Sequence, residues 1–293
     1  MRKLYSLASL MPTVIALVAS PNIALAQAPS AQTRWTVGRG AENCYLTRSF
    51  GSGSQKVDVL IQAFGSTSPY HVIIRSNTLP LRPQRAEVAR VGFGGSLAPA
   101  DTFVIIGKSG ETPTAVFAAS SHAVSLYGSF YLYQRTDAQA VSPIDPSGQV
   151  LSIDMSDATP LSLQLGDMTG EYASLDECAR GLETKWAASA SGGVPLMSGP
   201  ELLHPGEASW HMKYPENLLL SLISGIAEMR MTVDEKGRAH DCVVQMSTWA
   251  SRFGEDSCAA LQQVARFEPA KDANGNAVKA LFRASVFFIN YKW

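Results

Sequence analysis

Hydrophobic and polar positions follow two different rhythms along this chain. Upstream of Trp186 the apolar residues gather in short β-favouring runs, Val57–Phe64, Tyr70–Thr78, Thr102–Ile106, Thr114–Ala118, Phe130–Tyr133, Val150–Met155 and Leu161–Leu165, set apart by Gly, Pro, Ser and Asp. Runs of this length and spacing predict a mostly-β domain over residues 27–186, either a sandwich or a barrel. One helix closes it, with Tyr172, Leu175, Cys178, Ala179 and Leu182 on a single stripe before Trp186. Residues 187–210 hold Ala, Ser, Gly and Pro without a regular period and read as a linker.

From Tyr214 the rhythm changes. Pro215 stands where a helix can spare its backbone N–H, and Leu218, Leu219, Leu222 and Ile223 follow at helical spacing until Gly225 stops the helix. The period then becomes two: Ala227, Met229, Met231 and Val233 face one way, Glu228, Arg230 and Thr232 the other. After a turn at Asp234–Gly237 the chain returns with Cys242, Val244 and Met246 on one face and Asp241, Val243 and Gln245 on the opposite one, which makes a hairpin. Asp256 is the expected cap of a second helix carrying Cys258, Leu261, Val264 and Ala265 on its apolar side, and Phe267–Ala270 ends it. Alternation resumes from Val278 through Phe282, Val286 and Phe288 as one long strand to Asn290. A right-handed crossover lays this last strand beside the first and parallel to the second, as an edge. The fold class is α+β, with the β-rich domain first and two helices on a three-stranded sheet after it.

Tyr214-Pro215, the run from Gly225 through Val233-Asp234 to Gly237, Val243 to Met246-Ser247, Phe267-Glu268-Pro269-Ala270 and the closing Val286-Phe287-Phe288 together resemble the C-terminal domain of the TonB family of energy transducers. The resemblance covers residues 211–293 and implies an open sheet whose last strand pairs with an extended peptide of an outer-membrane or periplasmic protein. On that basis Tyr214, Pro215, Arg283, Ser285, Phe287 and Ile289 are the candidate partner-binding residues. An exposed edge strand offers unpaired N–H and C=O groups to such a peptide. The same strand also reads as an ordinary core element.

The first 26 residues change the picture of where this happens. Arg2 and Lys3 precede an apolar stretch, and Ala24-Leu25-Ala26 before Gln27 fits a signal-peptidase site, so the segment reads as a signal peptide and the location as periplasmic. Leu4–Ala26 is also long enough to span a bilayer, although Pro12 and Pro21 interrupt it; membrane association is expected only if it stays uncleaved. In an exported chain the four cysteines argue for disulfides. Cys44 and Cys178 bracket the first domain and Cys242 and Cys258 the strand-to-helix corner of the second, which selects those two pairings.

Candidate chemistry is sparse. With 24 basic against 25 acidic residues and no basic cluster, nucleic acid is not an expected partner. Gly107-Lys108-Ser109 lacks the first glycine of a phosphate loop, and no nucleophile elbow or dinucleotide fingerprint is present, so no cofactor is expected. His71, His122, His204, His211 and His240 lack the spacing that sets two metal ligands on one helical face. The expectation is a non-enzymatic periplasmic interaction module, linked through its resemblance to outer-membrane transport. The competing expectation is an envelope hydrolase or ligand-binding protein using the N-terminal domain, with a serine beside His71 or His122 as nucleophile; a Ser, a His and a carboxylate meeting in a cleft would favour it.

Overall fold

The structure is a computed structural model that describes residues 33–66, 68–82, 84–121, 129–132, 141–205, 211–249 and 251–290. The segment read as a signal peptide, His122, Tyr133 and Trp210 lie outside the described residues. Among the described residues no helix is long and apolar enough to cross a membrane.

The N-terminal part is one antiparallel sheet with a helix against its inner face. Its strands are β1 (Thr36–Arg39), β2 (Cys44–Phe50), β3 (Val57–Ala63), β4 (Tyr70–Ser76), β5 (Arg85–Gly92), β6 (Ala100–Ser109) and β7 (Thr112–Ser120), with β9 (Val141–Pro143), β10 (Val150–Asp154) and β11 (Leu161–Gln164) after an excursion that carries β8 (Ser129–Leu132). They lie in the order β1-β2-β3-β4-β7-β6-β5-β10-β11, and β9 adds to β7 in parallel. Trp35 Nε1 and Arg48 Nη1, at one end of the sheet, both donate to the carbonyl of Leu165 at the other, at 3.3 and 2.6 Å, so the sheet curls until its ends approach. Inside the curl lies α1 (Thr169–Ser191), which buries Tyr172, Leu175, Ala179, Leu182 and Trp186 against Leu46, Ile61, Val72 and Phe117. The apolar stripe read from the sequence is the buried one, and Cys44–Cys178 ties α1 to β2.

The C-terminal part is a second sheet, in the order β15-β14-β19-β8. Here α2 is Glu216–Leu220, β14 Gly225–Val233, β15 Ala239–Ser247, α3 Arg252–Val264 and β19 Ala280–Phe288. As the periodicity predicts, β19 lies antiparallel beside β14 and hence parallel to β15. Met229, Met231, Val233, Val286 and Phe288 pack with Phe253, Cys258 and Leu261 of α3 as this part's own core, and the second bridge, Cys242–Cys258, pins α3 to β15.

Several expectations need correcting. The first helix does not run to Gly225; it ends at Leu220, and Leu222 takes a left-handed φ of 57°. Gly225 serves packing instead, since a Cβ there would lie 2.3 Å from the Phe253 ring. Asp256 is not the cap of α3. That helix begins a turn earlier because Phe253 stacks 4.5 Å from Phe288 and 5.8 Å from Tyr214, and Asp256 pairs with Arg252 inside it. The long last strand is broken at Lys279 into β18 (Ala277–Val278) and β19. A bulge opposite Glu228 and Met229 makes Gln245 the extra residue and turns Met246 to the sheet face opposite Val244. The stretch read as a linker is structured over part of its length: α1 continues to Ser191, β12 (Leu196–Ser198) pairs with β17 (Ala270–Asp272), and β13 (Glu201–Leu203) pairs with β16 (Arg266–Glu268).

The two bridges set different stabilities. Cross-link entropy gives about 3 kcal/mol for the short loop and about 5 kcal/mol for the long one. Urea unfolding of Cys242→Ser/Cys258→Ser is therefore expected to show the smaller loss and of Cys44→Ser/Cys178→Ser the larger. Equal losses would mean that something other than loop closure sets the contribution.

Candidate protein-interaction site

The face of β14 and β19 that carries Glu228, Arg230, Arg283 and Ser285 is not turned to water. It stacks on the outer face of the N-terminal sheet. Between the two lies an apolar cluster of Ala86, Phe103, Ile105, Val116 and Ala118 on one side and Ile226, Phe287 and Ile289 on the other. This explains why β6 and β7 read as continuous apolar runs: Val104, Ile106 and Phe117 face α1, while Phe103, Ile105 and Val116 face the second sheet.

Three polar contacts close this interface. His71 Nε2 lies 2.7 Å from Glu228 Oε1, with side chains 0% and 1% exposed, and Ser285 Oγ donates to the other Glu228 oxygen at 2.9 Å. Arg230 donates twice to Glu42, at 2.8 and 2.9 Å, with its guanidinium 5.3 Å from the Trp186 ring centroid. The Arg230 hydrogen bond holds the Glu42 carboxyl below the ordinary glutamate range, against the opposing effect of burial. Arg283 donates to Ser68 Oγ at 3.0 Å and to Glu183 Oε1 at 2.9 Å, passing against Gly65, where a Cβ would sit 1.7 Å from Nη1. Glu183 in turn accepts from the Ser66 backbone and hydroxyl.

The six candidate partner residues are therefore placed as follows. Tyr214 is in the C-terminal core, its hydroxyl donating to the Ile223 carbonyl and its ring edge-on to Phe253 and Phe288; Pro215 is buried beside it at the start of α2. The side chains of Arg283, Ser285, Phe287 and Ile289 all point into the interface with the N-terminal sheet. None of the six side chains is turned to solvent, because the face that alternation marked as polar is the one that the first sheet covers. Nor is β19 an open edge throughout: β8 lies parallel to it, pairing Ser129 with Ser285, Phe130 with Val286, Tyr131 with Phe287 and Leu132 with Phe288. The run Phe130–Tyr133, read as a strand of the first domain, thus contributes its strand to the second sheet.

A family comparison decides what this sheet is. Residues 210–289 match the family described as the Gram-negative bacterial TonB protein C-terminal. The chain ends in a TonB C-terminal domain. Such domains typically bind other proteins, and the family is one of the Gram-negative envelope, which the two disulfides fit. No curated protein matches the chain.

His71, Glu228 and Ser285 do bring a histidine, a carboxylate and a serine together. In a hydrolytic relay the histidine stands between nucleophile and acid. Here the carboxylate stands between the other two, and all three are buried between the TonB-type sheet and the N-terminal one. These contacts join the two sheets, with the Glu228 carboxylate as the shared acceptor. Nothing in the sequence around His71 signalled it, since its partners lie 157 and more positions downstream.

Removing one partner of a buried hydrogen bond leaves the other unsatisfied at a cost of about 1–3 kcal/mol, whereas replacing both partners with apolar residues is often near neutral. Urea unfolding of Glu228→Ala is expected to show a loss in that range, and His71→Leu/Glu228→Leu a smaller one. Additive losses would mean that the two side chains are not coupled across the interface.

Proposed function

We propose that the chain is a non-enzymatic periplasmic interaction protein whose TonB C-terminal domain binds an extended peptide of an outer-membrane or periplasmic protein along the outer edge of β19. The partner strand gains affinity from main-chain hydrogen bonds, so Arg283, Ser285, Phe287 and Ile289 contribute backbone while their side chains hold the domain to the N-terminal sheet. Tyr214 and Pro215 shape the core behind the edge. The link to outer-membrane transport is part of the same reading.

One observation carries it. The edge of β19 holds a parallel strand in continuous register from Ser285 to Phe288, and both faces of the sheet are covered, one by α3 and the other by the N-terminal sheet. A peptide that extends the sheet at β19 would take the place that β8 holds from Ser285 to Phe288.

Photo-crosslinking in the envelope separates this from a helix-face mode. A photoreactive residue at Lys279, the exposed position before β19, should capture an extended segment of another envelope protein, while the same group at exposed Glu255 on α3 should capture none. Adducts confined to the α3 position would overturn the edge mode.

A further inference from the structure

On the reading just given, the strand that now lies on β19 belongs to the protein itself, and we infer that β8 is a tethered internal ligand that competes with the partner peptide for the outer edge of β19. Three observations support this. Among the described residues β8 pairs with β19 alone and stands at the end of the sheet, on a ladder from Ser129–Ser285 to Leu132–Phe288. It comes from the other part of the molecule, on the connection between β7 and β9. The two ends of that connection sit side by side, with Ala118 paired to Val141, Ala119 to Ser142 and Ser120 to Pro143, and with the Ile144 N–H donating to the Ser120 carbonyl at 2.9 Å. Removing β8 from β19 therefore breaks none of the described strand pairings of the N-terminal sheet.

The physical consequence is a competition. A short tether fixed at both ends holds β8 near its site at an effective concentration on the order of millimolar. A free peptide then meets only the fraction of molecules in which β8 has left, and its apparent affinity falls by that fraction. β8 also states the class of partner: an extended peptide that aligns parallel to β19, matched in this chain by the sequence Ser129-Phe130-Tyr131-Leu132. The device keeps an edge strand covered until a better or more concentrated strand arrives, which also guards the sheet against unspecific edge pairing.

The test uses a labelled synthetic peptide copying residues 127–134 and two forms of the full chain: the unaltered one, and one in which residues 122–140 are replaced by a short Gly-Ser link. Circular dichroism and the two disulfides report whether the second is folded. The peptide should bind the shortened form at least about tenfold tighter than the unaltered form, and a copy with N-methylated backbone should bind neither. Equal binding to both would overturn the internal competition while leaving the edge as a peptide site. Binding to neither, with the shortened form folded, would remove the edge reading itself. Amide exchange on the unaltered chain decides independently of that variant. The outer-edge amides of Ser285–Phe288 should open without global unfolding while the β14-paired amides stay protected, and identical protection on the two edges would overturn the proposal.

Discussion

A carboxylate and an imidazole meeting between two sheets hold this molecule in its arrangement. Glu228 is 1% exposed and His71 0%. A carboxylate taken that far from water is tolerated only where hydrogen bonds replace its hydration, and here His71 Nε2 and Ser285 Oγ supply them. The same logic is repeated on either side, where Arg230 meets Glu42 over Trp186 and Arg283 meets Glu183 and Ser68 beneath Gly65. This polar face of the second sheet is buried because Glu228, Arg230 and Arg283 each find a hydrogen-bond partner on the N-terminal part.

That constraint has a functional result. With α3 on one face and the N-terminal sheet on the other, the TonB C-terminal domain has committed both faces of β14 and β19 to its own chain. The side chains of Ser285, Phe287 and Ile289 are spent on this packing, which is why the proposed recognition runs through the main chain of β19. The molecule applies that chemistry to itself, by laying β8 along the edge.

The sequence carried the elements well and the contacts between the two parts poorly. Alternation at Ala227, Met229, Met231 and Val233 found the C-terminal core, the stripe from Tyr172 to Trp186 found the buried face of α1, and the positions of the four cysteines found both bridges. The run Cys44–Phe50 was missed as a strand because Tyr45, Thr47, Arg48 and Ser49 dilute its apolar positions, and Arg85–Gly92 because charged residues alternate with small ones. The interface was illegible for a different reason. Glu228, Arg230 and Arg283 look like a solvated face, and their partners His71, Glu42 and Glu183 are 100 or more positions away, beyond the reach of any local pattern. The run at Phe130 was legible as a strand but its sheet was not, since a four-residue strand carries no sign of which sheet it joins.

The most direct test of this arrangement is the imidazole proton itself. In a uniformly nitrogen-15-labelled chain, the His71 Nε2–H should appear as a slowly exchanging resonance with through-space contacts to Glu228 and Ser285, and should disappear in Glu228→Ala. A His71 ring whose N–H exchanges freely with water, and which shows no contact to β14 or β19, would contradict the account: the two sheets would then not be stacked through a buried His71–Glu228 hydrogen bond.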